Sequence, residues 1–229
     1  MALAIFDLDN TLLAGDSDYL WGTFLTENHY VDVDTYQRQN EQFYQQYLAG
    51  SMDIFAFSAF QFAPLANTPI EVLHRWRETY LAKKIDPIIL PAARQLIQFH
   101  HERGDTLLII TATNQFITEP IANKLAIPHL IATIPERVND RYTGKVSGIP
   151  SYQEGKITRL NAWLATHHHD LTDSFFYSDS HNDLPLLNYV SHPVAVDPDP
   201  TLHRIAKQHN WRIISLRQGN QVVELNRNP

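Results

Sequence analysis

The chain has 229 residues, 44% of them hydrophobic, enough for one ordinary domain with a sizeable insertion and a packed core. Its 18 Lys and Arg against 25 Asp and Glu give a formal charge of −7, and no basic block follows any predicted helix, which argues against nucleic acid as a partner. Cysteine is absent, which excludes a disulfide framework, a thiol nucleophile and a thiolate metal site.

The first residues, MALAIFDLDN, carry no basic leader and meet a charge at Asp7. The later apolar run LLII at 107–110 is far too short to span a bilayer, so no membrane partner and a cytoplasmic location are expected. Nothing in the sequence speaks to oligomeric state. In chain order, ALAIF reads as a buried parallel strand, because a short apolar run is ended there by acidic and turn-forming residues. From about Asp18 to Asp86 the texture becomes helical, with spacings such as Tyr36, Phe43, Tyr47 and Ile54, Phe57, Phe60. Within it, Thr68 is expected to cap a helix that has Pro69 at its first position and Glu71 closing a capping box.

Pro91 opens a further helix that Gly104 ends, and TLLIIT is a second buried strand. Then FITEPIANKLAI reads as helix, HLIATI as strand, EGKITRLNAWLATH as helix, SFFYSD as strand, NDLPLLNYV as helix, HPVAVD as strand, and WRIISL as the last strand. ERVNDRYTGKV, with Asn139-Asp140 between two β-like runs, interrupts this alternation as a hairpin. Strands separated by helices imply right-handed crossovers and an α/β, doubly wound, mainly parallel sheet. The division expected is a catalytic core of residues 1–17 and 87–229 with a small all-helical cap at 18–86.

Open sheets of this kind bind ligands at the carboxyl ends of their strands. Asp7 and Asp9 follow the first strand, Thr111 and Thr113 the second, and Asp179 and Asp183 follow SFFYS. Asp7 and Asp9 lie two apart, so strand alternation directs both side chains to one side. Two like charges about 4 Å apart repel by about 4 kcal/mol at an effective dielectric near 20, and the further aspartates add to this. A divalent cation relieves the repulsion, and oxygen ligands without His or Cys favour Mg2+. An ionised Asp7 can attack phosphorus without a base, while Asp9 can protonate the leaving alkoxide and later deprotonate water. Lys156, Thr111 and Asn182 can supply the cation and donors that a transferring phosphoryl group needs.

FDLDNTLL, IIT, the Lys of EGKITRL, and YSDSHNDLPLL resemble, in order, the four motifs of the haloacid dehalogenase-like phosphatases, and the likeness covers nearly the whole chain. The place of the helical insertion is similar to the phosphoserine phosphatase-like branch, with its helical C1 cap. The resemblance implies a Rossmann-like core and a phosphoric monoester hydrolase. In it Asp7 is the nucleophile, Asp9 the general acid/base, Thr111, Lys156 and Asn182 bind phosphate, and Asp179 ligates Mg2+. It further implies metal contacts from Asp7, from Asp9 through its main-chain carbonyl, and from Asp183 as ligand or support. Ser178 and Ser180 stand where the family often has glycines, so a more crowded loop is expected.

Asp16, nine residues after Asp7, matches the acidic position with which phosphoserine phosphatases hold the substrate amine. Those enzymes hold the carboxylate with a cap arginine, yet no Lys or Arg occurs here between Gln39 and His74, although Arg38 lies just outside that interval. GDSDYLWG after the first motif is similar to bacterial histidinol-phosphate phosphatases of this branch, which implies L-histidinol phosphate as substrate and a place in amino-acid biosynthesis. Trp21, Phe43 or Tyr47 could then meet its imidazole. The alternatives are a phosphoserine or broad small-metabolite phosphatase, a dehalogenase, a phosphomutase, or a receiver-like module phosphorylated on Asp without turnover. The run His167-His168-His169 reads as a solvated helix end, since adjacent residues there point in different directions.

Overall fold

The computed structural model describes residues 2–226. Strand β1 (Leu3–Phe6) is followed by four helices, α1 (Ser17–Glu27), α2 (Val33–Leu48), α3 (Ile54–Ala66) and α4 (Ile70–Tyr80). A π-helical turn at Leu81–Ile85 and a 3-10 turn at Asp86–Ile88 lead back to α5 (Pro91–Glu102). Next come β2 (Thr106–Asn114), α6 (Gln115–Lys124), β3 (His129–Thr133), the hairpin β4 (Pro135–Val138) and β5 (Arg141–Val146), α7 (Glu154–His167) and β6 (Ser174–Ser178). The chain closes with α8 (Leu184–Leu187), β7 (His192–Val196), α9 (Pro200–Gln208), β8 (Arg212–Ser215) and β9 (Val223–Glu224).

Seven strands form one sheet in the order β3-β2-β1-β6-β7-β8-β9, with every pairing parallel except β8 with β9. Alternation along β1 explains why the sheet needs cover on both faces. Ala4 and Phe6 join a cluster with residues of α1, α4, α5 and α6, whereas Leu3 and Ile5 join one with α7, α8 and α9. The chain runs outward from β1 through β2 to β3, then returns to β6 on the other side of β1. That reversal opens a crevice between the carboxyl ends of β1 and β6, where ligands of open α/β sheets sit.

Three local readings of the sequence need correction. Thr68 does not cap α4: extended Pro69 occupies the cap position and no side chain supplies a hydrogen bond there. NDLPLLNYV yields one α-helical turn, Leu184–Leu187, because a 3-10 turn takes His181–Asp183 and Pro185 then fills an early helical position. WRIISL is not the last strand, since the two-residue β9 follows, and α9 is a helix beyond those expected from the sequence. The signal for α9 was present in Asp199-Pro200: Asp199 accepts from the Thr201 and Leu202 amides, and Leu202 and Ala206 turn inward four residues apart. Asn139 and Asp140, with φ of 50° and 60°, make the turn of the hairpin that was read from them.

Candidate active site

The end of β1 carries Asp7 and Asp9 into the switch-point crevice, and α1 closes over them. Asp9 is held by the first turn of α1 and by β2: Ser17 N–H donates to its Oδ1 at 2.6 Å and Thr113 Oγ1 to its Oδ2 at 2.7 Å. Thr111 Oγ1 lies 3.4 Å from the same Oδ2. Burial lifts Asp9 above the ordinary carboxylate range, against the bonds from Ser17 and Thr113. Its acid form is therefore favoured relative to that of a free carboxyl.

Asp7 faces Lys156 from the first turn of α7. The Lys156 ammonium sits 2.8 Å from Asp7 Oδ1 and 2.7 Å from Asp183 Oδ1, and all three side chains are buried. Burial opposes its charge, but Asp183 and Asp7 together hold Lys156 above its usual range, so it is a cation. Burial pushes the Asp7 carboxyl up to about 8, Lys156 opposes this, and Asp183 and Asp9 add to it. Asp183 is steadied on its other oxygen by Ser178 Oγ at 2.7 Å. Ser178, where the resemblance leads one to expect glycine, thus fixes an acidic side chain.

Asp179 lies at the same edge. Thr11 joins the β1 and β6 loops through one hydroxyl, which donates to Asp179 Oδ1 and accepts from the Asp179 amide, both at 3.1 Å. Burial and then the charges of Asp7 and Asp183 raise Asp179 well above its ordinary value. Asp9 and Asp183 are committed to protein donors, but among the described residues the second oxygens of Asp7 and Asp179 have none. No group of three His, Asp or Glu side chains among the described residues forms a closed metal cage. Two mutually repelling carboxylates with an oxygen each to spare fit Mg2+, which binds through one or two carboxylates and keeps water and phosphate oxygens for the rest.

Asn182 is placed beside these groups but with its amide engaged. Its Oδ1 accepts from Tyr152 Oη at 3.2 Å and Gln153 Nε2 at 3.3 Å, and its Nδ2 donates to the Tyr47 carbonyl on α2 at 3.0 Å. It therefore ties α2 to the segments that follow β6 and precede α7. Thr11, Thr113 and Ser178 are the contributors that residue-type reasoning left without a role. Their signal was proximity in sequence to the acidic strand ends, which says nothing about which carboxylate each would hold.

Lys156 reaches Asp7 because α7 starts unusually close to the preceding loop. A Cβ on Gly155 would sit 2.1 Å from the Pro150 carbonyl oxygen, a distance no side chain tolerates. Gly155→Ala is expected to push the first turn of α7 outward and cut kcat/KM about 10- to 100-fold, as misplacement by ~1 Å does elsewhere. A rate within about twofold of the parent, measured on a folded variant, would show that Lys156 does not depend on this close approach.

The cavity above these residues is lined from the insertion side by Asp16, Asp18, Tyr19, Phe43, Tyr44 and Tyr47. Lys156 is the one Lys or Arg lining it among the described residues. Asp16 caps α1, accepting from the Tyr19 amide at 2.8 Å, and burial lifts it to about 7 with Asp9 adding. Of the aromatic residues read as imidazole partners, Phe43 and Tyr47 line the cavity. Trp21 does not: it is fully buried against Phe24, Tyr80 and Phe116. Arg38 is exposed on α2 and does not line the cavity. His167 and His168 are exposed as read, while His169 is half-buried, and His167 and His169 both stack on Trp163.

Comparison with known proteins gives concordant findings. Residues 4–188 match the family model of the haloacid dehalogenase-like hydrolases. The chain is 46% identical to a protein of Neisseria meningitidis serogroup C (strain 8013) named histidinol-phosphatase, over 94% of this chain and 99% of that one. A crystal structure of a Bordetella pertussis Tohama I protein of unknown function superposes with a TM-score of 0.89 at 40% identity, covering 94% of this chain and 98% of that one. A substrate-bound phosphoserine phosphatase shares the fold with a TM-score of 0.67 at 16% identity, covering 89% of each chain. Among the described residues no helix is long and apolar enough to cross a membrane.

Proposed function

From the premise that this chain belongs to the haloacid dehalogenase-like hydrolases and is a phosphoric monoester hydrolase, we propose that it hydrolyses a small, amine-bearing metabolite phosphate, L-histidinol phosphate above others. Catalysis is Mg2+-dependent, passes through a phosphoryl group on Asp7, and serves amino-acid biosynthesis in the cytoplasm. The observation that carries the substrate reading is the division of charge along the cavity. Lys156 stands at the phosphate end, whereas Asp16 and Asp18 line the insertion side and no second Lys or Arg among the described residues joins them. An ammonium is matched there, but the carboxylate of phosphoserine has no partner, Arg38 being exposed. The relative in Neisseria meningitidis named histidinol-phosphatase, at 46% identity, agrees with this reading.

The proposed chemistry has two displacements. Asp7 attacks phosphorus while Asp9 protonates the departing alkoxide, which leaves phosphate on the Asp7 carboxylate. Asp9, now ionised, takes a proton from water, whose oxygen attacks phosphorus and returns Asp7 with release of phosphate. Asp9 suits both halves because burial favours its acid form while Ser17 and Thr113 bond its anion. Lys156, the Thr111 hydroxyl and Asn182 surround the phosphoryl oxygens. Asp7, Asp179 and the Asp9 main-chain carbonyl would hold Mg2+, with Asp183 in support, and the ion when bound neutralises charge on the phosphoryl group. Residues of α1 and α2 line the cavity beside the catalytic groups, so closure of these helices over a bound substrate would exclude water.

A phosphate-release assay tests both parts. With Mg2+, kcat/KM is expected to be highest for L-histidinol phosphate among that ester, L-phosphoserine and p-nitrophenyl phosphate. EDTA is expected to abolish turnover and added Mg2+ to restore it. Preference for L-phosphoserine would overturn the substrate, undiminished turnover in EDTA would overturn the metal, and a single phosphorylation without repeated release would point to a receiver-like module.

A further inference from the structure

Asp18 is a buried carboxylate for which the two displacements have no use. It is the second residue of α1, 6% exposed, and lines the same cavity as Asp16. Helix capping does not account for it, because Asp16 already occupies the cap and bonds the Tyr19 amide. Its orientation is set from the core instead. Asn114 caps α6 through Oδ1, which accepts from the Ile117 amide at 3.2 Å, and this turns its Nδ2 onto Asp18 Oδ1 at 3.1 Å.

An ionised carboxylate offers about four acceptor sites and no donor. Among the described residues no Lys, Arg or His forms an ion pair with Asp16 or Asp18. Ionising both in one cavity is costly, since burial and repulsion from neighbouring carboxylates hold each towards its acid form, and a ligand that brings the missing donors offsets that cost. Residues two apart at a helix start do not face the same way, so the pair addresses two different parts of that ligand. Phe43, Tyr44 and Phe57 line the space alongside them and provide flat apolar walls for a planar ring.

We propose that Asp18 is a second specificity-determining residue, which accepts a ring N–H of the leaving group while Asp16 takes its ammonium. The site thus selects phosphate esters that carry two separate nitrogen donors over those with one or none. This deepens the preceding reading of the substrate and rests on it.

The test is a comparison of kcat/KM for L-histidinol phosphate, O-phosphoethanolamine and p-nitrophenyl phosphate in the parent, D16N and D18N, all with Mg2+. A charge-assisted hydrogen bond corresponds to about 10- to 100-fold in affinity. D18N is expected to lower the ratio of L-histidinol phosphate to O-phosphoethanolamine by that factor, through KM. D16N is expected to lower both amine esters against p-nitrophenyl phosphate. Equal losses of D18N on all three substrates would mean a purely structural role and overturn the proposal. A parent enzyme that turns over p-nitrophenyl phosphate but neither amine ester would overturn the substrate reading itself, and the proposal with it. Should D18N not fold, D18E serves, its carboxylate being one methylene out of place: a parental ratio overturns the proposal, and a drop of about tenfold supports it.

Discussion

Asp7→Asn is expected to lower kcat by at least about 10^3-fold, as the loss of a covalent nucleophile does elsewhere. The amide has no anionic oxygen to attack phosphorus, and none of its neighbours can substitute. Asp9 is held by Ser17 and Thr113, and Asp183 by Lys156 and Ser178. The fold is expected to survive, because Lys156 keeps Asp183 at 2.7 Å and the variant has one fewer acid in a crowded, buried cluster. Phosphate release from L-histidinol phosphate with Mg2+, beside a thermal melt, checks both statements. A near-parental rate in material shown free of contaminating phosphatase would rule out Asp7 as nucleophile.

Lys156→Met is expected to damage stability as well as rate. The lysine and its two partners are almost inaccessible, with side chains 4%, 7% and 4% exposed for Lys156, Asp7 and Asp183. Removing the cation strands two acids, a situation that costs about 3–5 kcal/mol when a buried pair loses one member. For a chain of this size that corresponds to a fall in Tm of about 6–20 °C, read in EDTA so that no metal replaces the lost charge. Turnover is expected to drop by about 10^2- to 10^3-fold or more, since a charge aimed at the transferring phosphoryl group is gone. The double variant Lys156→Met with Asp183→Asn separates the two effects: it should recover much of the stability and none of the activity. A single variant that melts within about 2 °C of the parent would show that the ion pair is not what keeps this cluster folded.

What could be read from residues alone was the part of the site that lies on strand ends. Asp7, Asp9, Thr111, Asp179 and Asp183 follow apolar runs whose length and alternation identify them as strands, and parallel strands bring such ends to one edge. The partners of each acid were not legible in the same way. The sequence singles out Thr111 and gives Thr113 no role, yet it is Thr113 that closes on Asp9 at 2.7 Å while Thr111 stands 3.4 Å away. Asn182 is expected from its motif to contact phosphate, and its bond to the Tyr47 carbonyl, across 135 positions of sequence, is a contact that no motif foretells.

Trp21 shows the same limit from the other side. Its position in α1 suits either the cavity or the interior, and only the packing of α4 and α6 against that helix sends it inward onto Tyr80 and Phe116. For Asp18 the deciding contact comes from Asn114, whose amide is turned by the helix it caps and not by anything near Asp18 in sequence.

Periodicity, apolar run length and the residue types at strand ends are local properties, so the α/β alternation, the helical insertion and the acidic edge were determined by the amino-acid order itself. Which oxygen meets which donor depends on a few tenths of an ångström between segments far apart in the chain. That distance is set by how α1 and α7 pack against the sheet, and so only the tertiary structure decided that Lys156 joins Asp7 to Asp183 and that the insertion side of the cavity is acidic.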